Sequence, residues 1–155
     1  MNILHTYSET IVDGDGIRYS IYFAGCPHRC KGCHNPKSRD PNAGTPLTDQ
    51  KLDDIIKEIN NNPLLDGITL SGGDPFYNPL EMLPIVQKLK DKTKLSIWCY
   101  TGYTYEELLQ NDTSTKILEY IDVLIDGPFI EDKYSPILQF RGSSNQRIIK
   151  IRHNI

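Results

Sequence analysis

The sequence predicts an α/β protein whose mostly parallel sheet curves into an open, partial (β/α) barrel. Segments of β-strand composition alternate with amphipathic helical segments, which predicts right-handed βαβ units. Only five strands are predicted, and 155 residues are too few for a closed eight-stranded barrel of about 250 residues. No linker or internal repeat divides the chain, so residues 1–155 are expected to form a single domain.

The first half of the chain contains two predicted strands and two predicted helices. The strand Ile17 to Phe23 is rich in aromatic and β-branched residues. A helix is predicted from Thr48, a good N-cap residue, to about Asn60, because its apolar residues recur at helical spacing. Gly67 to Leu70 forms a short apolar strand, and Asn78-Pro79 has the composition that begins a helix.

The second half continues the same alternation. Leu95 to Tyr100 is the third predicted strand, and Thr104 with Glu107 forms a capping box that begins a helical region. Asp122 to Ile125 and Arg147 to Ile151 are the fourth and fifth strands. Every predicted helix therefore lies between two strands, as a parallel sheet requires.

The unusual segments of the sequence all follow predicted strands. There are four of them: Cys26 to Asn35, Ser71 to Pro75, Tyr100 to Tyr103 and Asp126 to Phe129. Ligand sites in parallel α/β sheets lie outside the carboxyl ends of the strands. These four segments are therefore expected to meet at one shared site.

Composition and charge exclude several classes of function. With 38% hydrophobic and 24% charged residues, the chain has the composition of an ordinary globular protein. Its formal charge of -3 gives no overall attraction to nucleic acid or to an anionic membrane. The first twenty residues lack both a basic start and a continuous apolar stretch, so no signal peptide or membrane span is expected there. The cytoplasm is the expected location.

Three cysteines, Cys26, Cys30 and Cys33, are spaced C-x3-C-x2-C. They would close very short disulfide loops and leave one thiol unpaired, so metal binding is the better interpretation. Zinc bound by three cysteines and one histidine remains open, with His28 and His34 in the same loop. Structural zinc sites usually separate two ligand pairs by a longer stretch, which favours an iron-sulfur cluster.

A 4Fe-4S cluster normally takes four thiolates, so three would leave one iron open to a substrate. Cys99 lies within a predicted strand and is expected to be a small buried hydrophobic residue, not a fourth ligand. His28 is expected to be a solvated loop residue. His34 is a candidate zinc ligand, pocket residue or surface residue.

The segment Ser71-Gly72-Gly73-Asp74-Pro75 could be a tight turn and nothing more. Its place after a strand gives it a second interpretation. Gly72 and Gly73 would let backbone approach a ligand closely, and the carboxylate of Asp74 could accept hydrogen bonds from an ammonium group.

The cysteine triplet and this turn together resemble the radical S-adenosylmethionine superfamily. The resemblance implies that Cys26, Cys30 and Cys33 hold a 4Fe-4S cluster, and that the turn from Ser71 to Pro75 binds the amino group of S-adenosyl-L-methionine. It also implies a fold of the radical S-adenosylmethionine type. Gly32 stands where many members place an aromatic residue near the adenine, which makes His34 and Tyr100 the candidates for that contact.

Other segments resemble one branch of this superfamily, the glycyl-radical-enzyme activases. These are Val12 to Arg18 and Cys33-His34-Asn35. Tyr100 to Thr104, Asp126 to Phe129 and Arg141 to Arg147 are similar to the activases of the anaerobic ribonucleoside-triphosphate reductase.

The resemblance implies that the large subunit of this reductase is the substrate, and that an electron donor such as flavodoxin supplies the reducing electron. No side chain of this chain is required as a general base. Two alternatives remain: a small-molecule radical enzyme such as a 7-carboxy-7-deazaguanine synthase, and a non-catalytic zinc-binding interaction module.

Overall fold

A computed structural model describes residues 1–151, which form a seven-stranded sheet covered by helices. The strands are β1 (Asn2–Thr10), β2 (Arg18–Phe23), β3 (Thr45–Pro46), β4 (Gly67–Gly72), β5 (Ser96–Tyr100), β6 (Val123–Asp126) and β7 (Arg147–Lys150). The α-helices are α1 (Asp49–Asn60), α2 (Pro79–Thr93), α3 (Tyr105–Leu108) and α4 (Asp112–Leu118). Short 3-10 helices span Pro36–Arg39 and Glu131–Lys133.

The sheet is mixed and open, with the strand order β3-β1-β2-β4-β5-β6-β7. Its centre is parallel, since β2 pairs with β4, β4 with β5, and β5 with β6 in the same direction. The outer strands run antiparallel to their neighbours, because β1 pairs in that way with β2 and β3, and β7 with β6. The α/β class and the predominance of parallel strands were predicted, and the described strands do not close into a barrel.

Two of the sequence predictions for the sheet need correction. The strands β1 and β3 were not predicted, because β1 is largely polar and β3 has only two residues. Arg147 to Ile151 was predicted as a further strand of a parallel sheet, but β7 is antiparallel. A parallel pair needs a long crossover, usually helical, whereas a 3-10 helix is the only helical element between β6 and β7.

The predicted helix starts are confirmed by their caps. Thr48 Oγ1 accepts a hydrogen bond from the backbone N–H of Lys51 (3.1 Å), and Asn78 caps α2 with Pro79 at its first turn. Thr104 and Glu107 form a reciprocal capping box at the start of α3. Each cap satisfies backbone donors that the first helical turn leaves free.

The two faces of the central strands have different chemistry because successive side chains point to opposite sides of a sheet. On β2, Tyr19, Ile21 and Phe23 belong to the apolar core, which also includes residues of α1 and α2. The alternating residues Arg18 and Ser20 therefore point to the inner face, the side away from that core. Cys99 lies in the core and is 1% exposed, as the sequence predicted.

The buried guanidinium of Arg18 fills the inner face at the amino ends of the parallel strands. It donates to Thr69 Oγ1 (2.8 Å) and to the backbone oxygens of Asp15 (2.9 Å) and Ile68 (2.9 Å). It also lies 5.2 Å from the ring centre of Trp98. Burial lowers the pKa of Arg18 to about 10. One end of the inner face is thereby closed.

Within residues 1–151, no helix combines the length and the apolar character needed to cross a bilayer.

Replacing Arg18 by Leu is expected to lower the free energy of unfolding by about 2–4 kcal/mol, because several buried acceptors lose their donor. Urea unfolding of the metal-free protein, followed by circular dichroism, measures this change. Lys116→Leu removes an exposed cation on α4 and is the matched control, with an expected change within about 0.5 kcal/mol. Equal effects of the two substitutions would contradict the structural role of Arg18.

Candidate iron-sulfur site

A cavity of about 680 Å³ lies at the carboxyl ends of the parallel strands. Its walls include the segments that follow these strands: Cys26 to Asn35 after β2, Ser71 to Gly73 at the end of β4, Tyr100 to Gly102 at the end of β5, and Gly127 after β6. The volume is within the usual range for small-molecule sites, roughly 300–1,000 Å³. The loops predicted to converge therefore do so around one cavity.

The cysteine loop brings three thiols to this cavity. Cys26, Cys30 and Cys33 all line it, and each is free and half-buried. The loop is closed at its base, where the backbone N–H of Gly25 donates to the carbonyl of Ser38 (2.8 Å). Cys99 lies in the core on the other face of the sheet, so the donor set has three thiolates, which fits a cluster with one open corner.

Burial is the main cause that raises the pKa of the Cys26 thiol to about 11, with a smaller contribution to this value from the carboxylate of Asp74. A backbone hydrogen bond near His28 acts in the opposite direction but is outweighed. Without metal, this thiol is therefore neutral near pH 7. A metal ion that binds Cys26 must displace the proton, because the thiolate is the ligand.

The carboxylate of Asp74 joins three parts of the site. It is fully buried and accepts hydrogen bonds from the backbone N–H of Phe76 (2.9 Å), the Thr101 hydroxyl (3.0 Å) and the backbone N–H of Gly102 (2.9 Å). His28 Nε2 lies 2.7 Å from Asp74 Oδ2. A carboxylate offers about four acceptor positions. The acceptor positions of Asp74 are therefore used within the protein.

His28 is not the solvated loop residue that the sequence suggested. Its ring is half-buried, packs edge-on against Tyr103 with 4.6 Å between ring centres, and lies against Gly102. The bond to Asp74 ties the cysteine loop to the turn after β4. The ligand atoms of Cys26, His28 and Asp74 also lie within 4.8 Å of one another, so a mononuclear metal ion that replaces the hydrogen bond between His28 and Asp74 has a geometric basis here.

The turn predicted to bind a ligand is divided by the structure. Ser71, Gly72 and Gly73 line the cavity. Asp74 and Pro75 are not among the described residues that line it. A Cβ atom on Gly73 would lie 2.5 Å from the carbonyl oxygen of Gly25. This glycine is therefore needed so that the turn can approach the cysteine loop.

The two candidates for an adenine contact, His34 and Tyr100, both line the cavity. His34 is exposed, and its ring centre lies 5.5 Å from that of Phe129. Tyr100 is half-buried, and burial raises its pKa above the ordinary range. Their role in cofactor binding stays a prediction.

A polar and aromatic wall of the cavity was missed at the sequence level. Asp13 Oδ2 accepts hydrogen bonds from Ser20 Oγ (2.9 Å) and from the Tyr22 hydroxyl (2.5 Å). His5 stacks on Tyr22 with 4.6 Å between ring centres, and Tyr7 meets the same ring edge-on at 5.5 Å. His5 and Tyr7 are two residues apart, a spacing that places both side chains on one face of a strand. This spacing was the signal in the sequence that could have predicted the wall.

The Arg141 to Arg147 segment has a mixed position. Arg141, Gly142 and Gln146 line the cavity. Arg147 instead forms ion pairs with Asp126 and with Glu106, which hold β7 against β6 and α3.

Comparison with known proteins identifies the class of this site. Residues 12–149 match the family described as a 4Fe-4S single cluster domain, so the chain belongs to this family of iron-sulfur domains.

The particular family follows from three relatives, each an anaerobic ribonucleoside-triphosphate reductase-activating protein. The protein of Pasteurella multocida (strain Pm70) is 40% identical over 154 residues, which cover 97% of this chain and 98% of that protein. The Escherichia coli (strain K12) protein is 38% identical over 156 residues, covering 98% and 100%. The Enterobacteria phage T4 protein is 32% identical over 151 residues, covering 96% and 93%. The chain belongs to the family of these activating proteins.

The raised pKa of Cys26 predicts slow alkylation of the metal-free protein near neutral pH. In a variant with Cys30, Cys33 and Cys99 changed to Ser, the iodoacetamide rate should rise about tenfold per pH unit up to pH 10, without levelling near pH 9. Mass spectrometry measures the rate. The same variant in urea is the control and should level near pH 9; identical profiles would show that folding does not shift this thiol.

Asp74→Asn should loosen the site, because an amide group would place donor hydrogens where the carboxylate now accepts them. The expected loss in free energy of unfolding is roughly 3 kcal/mol, together with a lower iron and sulfide content after anaerobic reconstitution. Asp91→Asn changes an exposed carboxylate and serves as the control. Normal iron content and stability in Asp74→Asn would rule out the joining role assigned to this carboxylate.

Proposed function

We propose that this chain is a radical S-adenosylmethionine enzyme that generates a glycyl radical on the anaerobic ribonucleoside-triphosphate reductase. The observation that carries the proposal is the convergence of Cys26, Cys30 and Cys33 on one cavity, with Cys99 buried elsewhere. Three thiolates support a 4Fe-4S cluster that keeps one iron free for the amino and carboxylate groups of S-adenosyl-L-methionine. The names of the relatives support the choice of target.

The chemistry belongs to the cofactors, and the protein supplies binding and orientation. Cys26, Cys30 and Cys33 would hold the cluster. Together with bound S-adenosyl-L-methionine and one electron from an external donor, the cluster would supply the cleavage of the sulfonium to methionine and a 5'-deoxyadenosyl radical able to take one hydrogen atom from a glycine Cα of the reductase. The chain's residues bind and enclose the reactants. Neither the cleavage nor the hydrogen-atom transfer requires a side chain to transfer a proton.

Several residues are proposed to bind S-adenosyl-L-methionine. The turn from Ser71 to Gly73 offers backbone groups to its methionine part, since these residues line the cavity beside the cysteines. Asp74 and Pro75 act from behind this wall by holding the turn in place. His34 or Tyr100 contacts the adenine.

The open fold suits a protein substrate. We assign the chain to a single radical S-adenosylmethionine domain with a partial barrel, whose open side admits a loop of the reductase's large subunit. Tyr7, Val12, Leu138 and Phe140 line the cavity and give it an apolar rim, and Tyr7 and Val12 are 50% and 70% exposed. An apolar rim favours contact with another protein. The reaction belongs in the cytoplasm, where thiols remain reduced.

A zinc-binding interaction module is the second candidate, favoured by the closeness of Cys26, His28 and Asp74. The two candidates differ in metal content. Anaerobically purified protein with stoichiometric zinc and neither iron nor sulfide would support the zinc module.

The activation assay tests the proposal directly. Reconstituted protein is mixed anaerobically with the reductase, S-adenosyl-L-methionine and dithionite, and a glycyl radical is expected in the electron paramagnetic resonance spectrum. Cys30→Ser should abolish the radical signal by removing a cluster ligand. Cys99→Ser is the matched control and should keep it, because Cys99 lies in the core away from the cavity.

Two results would contradict the proposal. One is iron-loaded protein that cleaves S-adenosyl-L-methionine without forming a radical on the reductase, which would favour a small-molecule substrate. The other is equal loss of signal in both cysteine variants, which would make the ligand assignment wrong.

A further inference from the structure

The cysteine loop has two sides with different residues. Cys26, His28, Cys30 and Cys33 line the cavity. Three cations lie between these cavity residues or shortly after them: Arg29, Lys31 and Lys37. All three are exposed, and none is among the described residues that line the cavity. The loop therefore presents ligands inward and cations outward.

The outer side is strongly basic in a chain whose formal charge is -3. Residues 26–39 contain four cations, Arg29, Lys31, Lys37 and Arg39, and no Asp or Glu. Within residues 1–151, no carboxylate forms an ion pair with Arg29, Lys31 or Lys37. We call Arg29, Lys31, Lys37 and Arg39 together the basic loop surface.

Two acidic residues lie near this surface and do not neutralise it. Glu131 packs beside Gly32, and Asp40 follows the loop, where its carboxylate accepts from the backbone N–H of Asn42. Four cations against these two carboxylates leave a positive surface. Arg39 also donates to the backbone oxygen of Cys30 (2.9 Å), so the surface is joined to a predicted cluster ligand.

We infer that the basic loop surface docks an acidic one-electron carrier protein that reduces the cluster. The inference rests on the proposed function, which requires an external electron. The reduced carrier loses one electron and the cluster gains it; no bond forms or breaks and no proton is transferred. The loop provides a short covalent path from this surface to the cysteines.

Two observations favour a carrier over the reductase as the occupant. The cavity's apolar rim lies at other segments, on β1 and near Phe140, and gives a protein substrate its own approach. The basic loop surface lacks exposed large apolar residues, whereas weak electron-transfer complexes are small and guided by charge. The two partners can thus bind without competing for one surface.

The test compares two reductants of the cluster-loaded protein. An acidic flavodoxin, reduced beforehand, is the protein probe, and dithionite is the small reductant that needs no docking surface. Stopped-flow absorbance gives the rate of cluster reduction by each, and the readout is the ratio of the two rates. In the wild type, this ratio should fall about tenfold between 50 and 300 mM salt.

The charge-reversal variant Arg29→Glu/Lys31→Glu/Lys37→Glu should lower the ratio tenfold or more. The variant Lys57→Glu/Lys92→Glu/Lys116→Glu makes the same charge change in the last turns of α1, α2 and α4. Each of these helices leads back to the amino end of a parallel strand, away from the cysteine loop, so the ratio should stay unchanged. If the triple loop variant fails to assemble a cluster, Lys37→Glu alone, four residues beyond Cys33, should still lower the ratio about threefold.

The outcomes separate this inference from the proposed function. An unchanged ratio in the loop variants, or an equal fall in the control, overturns the docking assignment. An unchanged ratio with a lower glycyl radical yield under both reductants would assign the surface to the reductase instead. A charge-dependent ratio in wild-type protein that forms no glycyl radical would support the docking surface and contradict the proposed function.

Discussion

The site depends on one buried carboxylate. Asp74 is fully buried, and a buried carboxylate costs several kcal/mol unless it is paired and hydrogen-bonded. Its donors come from three separate segments: the cysteine loop through His28, the turn itself through Phe76, and the end of β5 through Thr101 and Gly102. Moving any one segment would remove a donor from this buried charge. The carboxylate therefore fixes the three segments relative to one another.

The same constraint explains the composition of the turn. A carboxylate that is satisfied by the protein keeps its place whether or not a ligand is present. The cavity wall is then left to Ser71, Gly72 and Gly73, whose backbone groups can meet a ligand. The inner face of the sheet limits the site from the opposite end, because Arg18 fills the space at the amino ends of the strands. Only the carboxyl ends remain available for a ligand.

The helices and central strands could be predicted because local rules decide them. Helix caps at Thr48 and Thr104 involve residues only three positions apart, and the apolar runs of β4 and β5 are continuous. The cysteine spacing, too, is local. Neither the strand β1 nor the antiparallel direction of β7 could be assigned in this way, because the pairing of these strands depends on partners distant in the sequence.

The role of His28 was hidden for the same reason. Its partner Asp74 is 46 residues away, and nothing in the sequence between Cys26 and Cys30 indicates that the ring turns inward. The wall formed by His5, Tyr7 and Tyr22 required β1 to be recognised first. Asp74 was recognised as a site residue, but its hydrogen bonds to the protein were not. A motif can identify important residues without distinguishing those that touch a ligand from those that hold the wall.

The environment of Cys26 also indicates whether this thiol acts as a metal ligand or as a nucleophile. Nucleophilic and redox-active cysteines have lowered pKa values, produced by nearby positive charge or a helix amino terminus. Here burial and the carboxylate of Asp74 raise the pKa of Cys26, which disfavours a free thiolate. Such a thiol is a poor nucleophile at neutral pH, but iron can replace its proton and compensate the buried negative charge. The electrostatics therefore favour a site completed by a metal cluster over one that acts through an exposed thiolate.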